Sequence, residues 1–294
     1  MNVVEFIAKA APFLDRHGVP SPRLNAEVLL GHLLGLSRLD IYTGFDRPLS
    51  DAETGIFRLL LMRRANGYPL QYMTREAGFR TVALEVVPGV FIPRPETEVL
   101  VEKALEVLPQ RAAEVLDLGT GCGNIAVSIA LERQDAKVTA VDNDWMSVEL
   151  CRRNALRNGV AGTVRALEGD LFEPLEPGRE FDAIISNPPY VPIGKWESLP
   201  MEVRGFEPVE ALVAGEDGLD VIRRIIQGAP GHLKDGGWLL LEVDETQAEK
   251  VVPLLSSPLG GDKKGGAWTN AEYFRDLAGR PRVVRARLAG AAGR

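Results

Sequence analysis

From residue 96 onward the chain alternates between short aliphatic runs and longer stretches with helical periodicity, and few folds accommodate that rhythm. Helix is predicted from 96 to about 108, strand over 114–118, helix to 132, strand over 137–141, helix to 158 and strand over 163–167. Further strands fit 181–186 and 238–243, with a helix near 219–232 between them, and a final pair fits 272–274 and 282–288. Strands separated by whole helices pair through crossovers, so this region reads as an α/β domain with a parallel sheet and helices on both faces.

The residues before it follow a different pattern. Val3, Val4, Phe6, Ile7, Ala10, Ala11 and Leu14 recur at helical spacing. Ser21 followed by Pro22 has the form of an N-cap and first-turn proline, and Leu24, Val28, Leu29 and Leu33 supply a second buried stripe before Gly35. A short helical turn fits next, and Ser50 caps a further helix that ends near Gly67. Residues 1–70 thus read as a small all-α domain for packing or substrate docking. Residues 71–90 form a β-hairpin connection in which Val82, Leu84, Val86 and Val87 alternate with other residues and Pro88-Gly89 marks the exit. Residues 91–294 form the α/β domain. The biased stretch 256–266, rich in Gly, Pro and Ser, is predicted to be a mobile loop.

Composition removes several classes of function. At 294 residues two domains are the natural expectation. No apolar run approaches the roughly 20 residues that span a membrane, and the N-terminus lacks the pattern of a signal peptide, so a cytoplasmic protein is expected. Cys122 and Cys151 cannot form a disulfide framework, and His17, His32 and His232 lack metal-ligand spacing, so no metal is expected. A net charge of −7 counts against a dedicated duplex-DNA binder. A monomer is the default.

The segment Val115-Leu116-Asp117-Leu118-Gly119-Thr120-Gly121-Cys122-Gly123-Asn124 is a buried strand running into a glycine-rich turn and a helix. Such a turn lets backbone approach a ligand closely. A nicotinamide fingerprint wants a sixth-position glycine where this chain has Asn124, whereas Gly119, Gly121 and Gly123 match the GxGxG spacing of many S-adenosyl-L-methionine enzymes. Thr120 and Cys122 fill the turn between them. Asp142, at the end of the next strand, stands where a carboxylate would accept hydrogen bonds from ribose hydroxyls; the competing reading is a helix N-cap, which Asn143 or Asp144 could supply equally well. After the third strand, Asp170 is positioned for an adenine amino group and Leu171 for the ring. The cofactor reading is S-adenosyl-L-methionine, with S-adenosyl-L-homocysteine as product.

The fourth strand leads into Asn187-Pro188-Pro189-Tyr190. A carboxamide nitrogen is a poor nucleophile because its lone pair is delocalised, so its activation calls for acceptors that hold both N–H groups. The Asn187 side-chain oxygen and the Pro188 carbonyl are two such acceptors, and the prolines fix φ while Pro189 has no N–H to compete. Tyr190 can stack on a planar amide beside a cationic sulfonium. Taken alone, the tetrapeptide is also readable as a rigid turn.

These residues resemble those of the protein-(glutamine-N5) methyltransferases that act on peptide chain release factors. The resemblance extends through Tyr68-Pro-Leu-Gln-Tyr72, Phe91-Ile-Pro-Arg-Pro-Glu-Thr-Glu98, Glu207-Pro208 with Ala211-Leu212, and Asp276-Leu-Ala-Gly-Arg280. It implies a seven-stranded, Rossmann-like class I methyltransferase domain behind a helical N-terminal domain. It further implies that the substrate is the glutamine of the Gly-Gly-Gln loop in class-1 release factors, with Phe91 and Arg94 lining the glutamine pocket. The chain departs from the family pattern at Arg75 and Asp244, where glycine is common. Two alternatives stay open. A ribosomal-protein glutamine methyltransferase resembles this chain except after the first Pro-Arg of the 93–98 block. DNA adenine N6-methylation would present two N–H groups to the same acceptors, although it requires base flipping and a basic recognition region.

Overall fold

The computed structural model describes residues 2–43, 46–256 and 268–290. Apart from Ser256, the stretch expected to be a mobile loop lies outside them. The chain divides into two compact units. The first takes in the residues up to Glu76 together with Val87–Gly89 and Leu199–Glu207; the second takes in Ala77–Val86, Val90–Ser198 and the residues from Pro208.

The first unit is helical, with α1 (Val3–Arg16), α2 (Pro22–Leu34), α3 (Arg38–Thr43), α4 (Asp51–Ala65) and α5 (Leu70–Thr74). Two capping boxes start its long helices. Asn2 pairs reciprocally with Glu5 at α1, and Ser50 with Glu53 at α4, each satisfying two orphan N–H groups. Ser21 does not cap α2 as expected: its backbone is left-handed, with φ 47°, and its side chain makes no capping hydrogen bond. An N-cap serine needs an extended backbone to reach the N–H groups of the first turn, so Pro22 is the start signal that operates. Val3, Phe6, Leu14, Leu29, Leu30 and Phe57 pack into one core, with Phe6 and Phe57 edge to face. Arg64 is buried and each of its three nitrogens is engaged: Nε donates to Asn25 Oδ1 at 2.7 Å, Nη1 to the Tyr68 carbonyl at 3.2 Å and Nη2 to Glu202 Oε2 at 2.8 Å. That last bond holds the distant segment Leu199–Glu207 in this unit. The short helix α5 was not anticipated. It closes on Arg75, whose φ of 61° is the left-handed conformation a glycine would adopt more readily.

The second unit opens, from Ala77, within the hairpin β1 (Glu76–Phe79) and β2 (Val82–Glu85), then runs α6 (Thr97–Val107), β3 (Glu114–Leu118), α7 (Asn124–Glu132), β4 (Lys137–Asp142), α8 (Trp145–Arg157), β5 (Val164–Glu168) and β6 (Phe181–Ser186). After α9 (Met201–Arg204), within the segment assigned to the first unit, come α10 (Asp220–Gly228), β7 (Leu233–Glu242), α11 (Ala248–Ser256), β8 (Trp268–Arg275) and β9 (Pro281–Leu288). The seven-stranded sheet has the order β5-β4-β3-β6-β7-β9-β8. Strands β3 to β7 are parallel, as the alternation of strand and helix requires, whereas β9 runs antiparallel to both β7 and β8. The sheet is therefore mixed, because β8 and β9 are joined by a tight turn with no crossover helix.

The central strand β6 is buried at every position, which is the signature of a sheet covered on both faces. Leu116, Leu118, Ile184, Leu239 and Leu241 share one core with Ile222 and Ile225 of α10 and Val251 and Leu255 of α11. The residues alternating with them, such as Val115, Ala183 and Leu240, are equally buried, and α6, α7 and α8 pack against the sheet there. The strand order reverses between β3 and β6: from β3 the chain winds outward through β4 and β5, then returns to the other side of β3 as β6. In open α/β sheets the crevice at such a reversal, outside the carboxyl ends of the strands, is where ligands bind.

Candidate active site

The turns after β3, β4, β5 and β6 all leave the carboxyl edge of the sheet, because register pairs Leu118 with Val141 and Ser186, and Asp142 with Glu168. This edge gathers every candidate that the sequence put at a strand end. Ser186 Oγ donates to the Leu118 carbonyl at 2.7 Å, locking the last residues of β6 and β3 together across the reversal point. A Cβ added at Gly119 would lie 3.9 Å from the Asn187 carbonyl oxygen, so the glycine turn and the Asn-Pro-Pro-Tyr turn are neighbours there.

The three glycines of the turn all have left-handed φ: 69° at Gly119, 55° at Gly121 and 86° at Gly123. Their reasons differ. A Cβ on Gly123 would meet Cys151 Sγ at 2.8 Å and Cys151 Cα at 3.1 Å, so this glycine lets α7 and α8 approach. A Cβ on Gly121 would meet nothing within 4 Å. Beneath the turn, Thr120 Oγ1 donates to Asp117 Oδ2 at 2.6 Å, while Asp117 Oδ1 has no hydrogen-bond partner among the described residues. Burial pushes the Asp117 carboxyl up to about 7. Cys122 and Cys151 are buried thiols, both pushed up to about 12 by desolvation, which rules out a reactive thiolate at either. Asn154, fully buried on α8, accepts from the Glu85 N–H at 2.7 Å and donates to the Cys122 carbonyl at 2.8 Å, tying hairpin, helix and turn together.

Asp142 does not cap α8. Asp144 does, accepting from the N–H groups of Met146 and Ser147. Asp142 instead receives the Gly121 N–H on Oδ2 at 2.8 Å and the Asp144 N–H on Oδ1 at 3.0 Å. A carboxylate offers about four acceptor positions, so capacity remains for two ribose hydroxyls; burial raises its pKa, and these N–H groups oppose the rise. Asp170 has one oxygen engaged, by Arg224 Nη2 at 2.6 Å. Leu171 follows with φ 52°, a conformation that a non-glycine residue holds only under the constraint of its surroundings. The open side of Gly121, the double acceptor Asp142 and the pair Asp170-Leu171 fit a ribose-bearing nucleoside cofactor.

In the Asn-Pro-Pro-Tyr turn, Asn187 Nδ2 donates to Thr97 Oγ1 at 3.2 Å, which leaves the carboxamide oxygen on its other side. Pro188 is buried and Pro189 half-buried. Tyr190 is anchored at both ends. Its carbonyl accepts from Gln247 Nε2 at 2.9 Å, and its hydroxyl donates to Glu242 Oε1 at 3.4 Å. Gly218 permits this, because a Cβ there would lie 2.2 Å from the Tyr190 carbonyl oxygen. Burial raises the Tyr190 pKa, while the charge of Arg94 acts to lower it. The Arg94 guanidinium lies 4.8 Å from the Phe91 ring centroid, so the two residues assigned to a glutamine pocket touch each other. Sequence reasoning gave no role to Asp117, Asn154, Thr97, Glu242 or Gln247. Asp117 and Glu242 did leave a signal, as lone carboxylates in otherwise aliphatic strand runs, which are buried only for a reason.

Comparisons with known proteins fit this geometry. Residues 88–198 match the family described as the methyltransferase small domain, and residues 5–74 match the PrmC N-terminal domain. A release factor glutamine methyltransferase of Geobacter sulfurreducens is 45% identical over 244 residues, covering 83% of this chain and 84% of its own. One from Rhodopirellula baltica is 35% identical over 96% of this chain and 95% of its own. This chain belongs to the release factor glutamine methyltransferases. Among solved structures, a Thermus thermophilus 16S rRNA N2 G1207 methyltransferase in complex with AdoMet and guanosine superposes with a TM-score of 0.53 at 25% identity, covering 72% of this chain and 49% of that one. A Pyrococcus furiosus methyltransferase, at 22% identity and a TM-score of 0.50, shares the fold. The second unit thus has the Rossmann-like class I methyltransferase fold, and as a release factor glutamine methyltransferase the chain carries the family's N-terminal domain as well.

Proposed function

We propose that this chain transfers a methyl group from S-adenosyl-L-methionine to the side-chain amide nitrogen, N5, of the glutamine in the Gly-Gly-Gln motif of class-1 peptide chain release factors, and so modulates translation termination. The observation that carries the proposal is the adjacency of Gly119 and Asn187 at the β3/β6 reversal point, in a chain so similar to release factor glutamine methyltransferases. When bound, S-adenosyl-L-methionine supplies an electrophilic methyl on a cationic sulfur and leaves as S-adenosyl-L-homocysteine. Gly119, Thr120, Gly121, Cys122 and Gly123 hold it through the turn, Asp142 through the ribose, and Asp170 and Leu171 through the adenine.

The substrate amide is aligned by Asn187 Oδ1 and the Pro188 carbonyl, which accept its two N–H groups, while Pro189 stiffens the turn. Tyr190 lies along the amide plane, with Phe91 and Arg94 completing the pocket. The bond formed is nitrogen to methyl carbon, and the bond broken is methyl carbon to sulfur. The nitrogen loses a proton once alkylation has made it acidic, so no strong base is needed and the rate comes mainly from positioning. Residues 1–70 act as the docking domain, 71–90 as the hairpin connection and 91–294 as the methyltransferase domain. The enzyme works as a cytoplasmic monomer; no described helix is long and apolar enough to cross a membrane.

The test is to incubate the full chain with methyl-labelled S-adenosyl-L-methionine and, separately, an unmethylated release factor, its Gly-Gly-Ala variant and unmethylated duplex DNA. Label at the glutamine amide of the intact release factor alone is expected, and label on adenine would refute the reading. Asn187→Ala is expected to bind cofactor nearly as the parent does yet lose most of its turnover; normal turnover would refute the assignment of Asn187.

A further inference from the structure

Gln247, just before α11, is buried, and its own neighbourhood explains only half of its hydrogen bonds. Its carbonyl accepts from the N–H groups of Lys250 and Val251, as the first turn of a helix requires. Its side-chain Oε1 accepts from the Asp244 N–H at 3.1 Å, while Asp244 Oδ1 accepts from the Thr246 N–H at 3.0 Å. Such reciprocal bonding starts helices, and in that role a glutamate serves as well as a glutamine. The Nε2 end does something a glutamate could not. It donates to the carbonyls of Tyr190 at 2.9 Å, Asp217 at 3.2 Å and Gly218 at 3.4 Å, and an ionised glutamate has no hydrogen to give them.

The Tyr190 carbonyl belongs to the peptide plane between Tyr190 and Val191, and that plane is held from both sides. On one side the Val191 N–H donates to the Leu212 carbonyl at 2.8 Å, within the parallel bridge of Val191 with Val213. On the other side stands Gln247. Two prolines fix the chain before Tyr190 and this plane fixes it after, so the Cα–Cβ bond that carries the ring has one direction. The Gln247 amide cannot reverse, because the Asp244 N–H demands an acceptor at one end and the three carbonyls demand donors at the other. Gly218 clears the approach: its φ is 77°, and a Cβ there would lie 2.2 Å from the Tyr190 carbonyl oxygen and 2.7 Å from Gln247 Nε2.

We propose that Gln247 is a positioning residue for methyl transfer, which aims the Tyr190 ring at the substrate amide by holding the Tyr190 carbonyl. This rests on the reading of Tyr190 as the ring that stacks on that amide. Without the Nε2 hydrogens, three carbonyls point at a place that holds no donor, and leaving them so is unfavourable. The peptide plane then turns about the bond it keeps on the Val191 side, and the ring turns with it.

The test uses the full chain with Gln247→Met, which loses both ends of the amide, with Gln247→Glu, which keeps the acceptor and loses the donors, and with each of these combined with Tyr190→Ala. The readouts are kcat and KM for an unmethylated release factor, cofactor affinity, melting temperature, and the ring resonances of tyrosine-labelled protein by NMR. Both single variants are expected to lose about tenfold in kcat, the worth of one hydrogen bond in the barrier, while KM and cofactor Kd stay within about twofold of the parent. On top of Tyr190→Ala each should cost less than about twofold more, because a residue that acts through the ring has nothing left to act on, whereas a merely structural role would multiply the two losses. The inference fails if Gln247→Glu turns over like the parent, if kcat falls only in step with melting temperature and cofactor affinity, or if the losses multiply. Should neither variant fold, hydrogen exchange of the Gln247 side-chain NH2 in the parent decides: exchange as fast as in an exposed amide overturns the inference, and strong protection supports it. Should the parent leave the release factor unmethylated, the proposed function fails while the ring resonances still judge the positioning: unchanged Tyr190 signals in Gln247→Glu overturn it, and shifted or broadened ones support it.

Discussion

Gly121 and Gly123 sit two residues apart in one turn, both left-handed, yet they should respond differently to alanine. Placing a Cβ on a left-handed backbone costs about 1–2 kcal/mol at either position. At Gly121 the cost stops there, because a Cβ would meet no atom within 4 Å. At Gly123 the Cβ would lie 2.8 Å from Cys151 Sγ and 3.1 Å from Cys151 Cα. The sulfur could rotate away, but a backbone carbon inside α8 moves only if the helix does, so an overpacking cost of about 1–3 kcal/mol is added. Gly123→Ala should therefore destabilise by about 2–5 kcal/mol, and Gly121→Ala by about 1–2 kcal/mol. At roughly 2–4 °C per kcal/mol for a unit of this size, the melting temperature should fall by about 4–20 °C in the first and about 2–8 °C in the second.

Cofactor affinity should run the other way. Gly121 faces open space and gives its N–H to Asp142, so an added methyl intrudes where the ligand is expected and disturbs the carboxylate proposed for the ribose. Calorimetric unfolding of the two variants without ligand, followed by titration of folded protein with S-adenosyl-L-homocysteine, separates the effects. Equal melting shifts would refute the packing argument for Gly123. A larger loss of affinity in Gly123→Ala than in Gly121→Ala would refute the division of roles within the turn.

Other perturbations address the remaining groups. In the role proposed for Asp142, the Asp142→Ala change removes two charge-assisted ribose contacts worth about 1.5 kcal/mol each, so cofactor Kd should rise about 100-fold in a direct titration; a change under threefold would remove Asp142 from the site. Asp117 has a folded-state pKa of about 7, above its unfolded value, so its stabilising contribution is complete below roughly pH 4 and is lost as pH rises through about 7. Asp117→Asn, which cannot ionise, should gain stability over the parent progressively between about pH 4 and 7 and level off above that in urea unfolding, and a pH-independent difference would contradict this. Tyr190→Phe gives up only a long hydrogen bond to Glu242, so its turnover should drop about two- to threefold, whereas Tyr190→Ala, which also loses the ring, should forfeit most of it; equal losses would show that the hydroxyl is the working part.

The α/β domain was legible because its signals are redundant. Each strand is a short aliphatic run, and each glycine or proline punctuates a strand end, so an error of one or two residues does not change the topology. The gathering of the candidate residues at one edge was legible for the same reason, since Gly119, Asp142, Asp170 and Asn187 all lie at or just after the ends of strands that register brings level. What the sequence hid was contact between residues far apart along it. Nothing local to Ser21 reveals a left-handed backbone that cannot cap, and nothing near Leu199 reveals that Glu202 meets Arg64 of the helical unit. Thr97 lies within a motif recognised by its spelling, but its use depends on α6 starting behind the Asn187 side chain. The departures from family pattern resolve locally: Arg75 takes the left-handed cap itself, and Asp244 turns the chain after β7 by accepting from the Thr246 N–H and hydroxyl.

The chemistry explains why the least legible residues lie just behind the most legible ones. Methylating an amide nitrogen calls for acceptors with fixed directions, and a direction is set by what stands behind the acceptor. Asn187 has Thr97 behind it, Tyr190 has Gln247 and Glu242, and Asp142 has the Gly121 N–H. Each acceptor or ring follows a strand and announces itself by position, whereas each support comes from a different element and is visible only once the chain has folded. A variant that keeps Asn-Pro-Pro-Tyr and the glycine turn but loses these supports would still match the motifs while lacking fixed geometry at the reacting atoms.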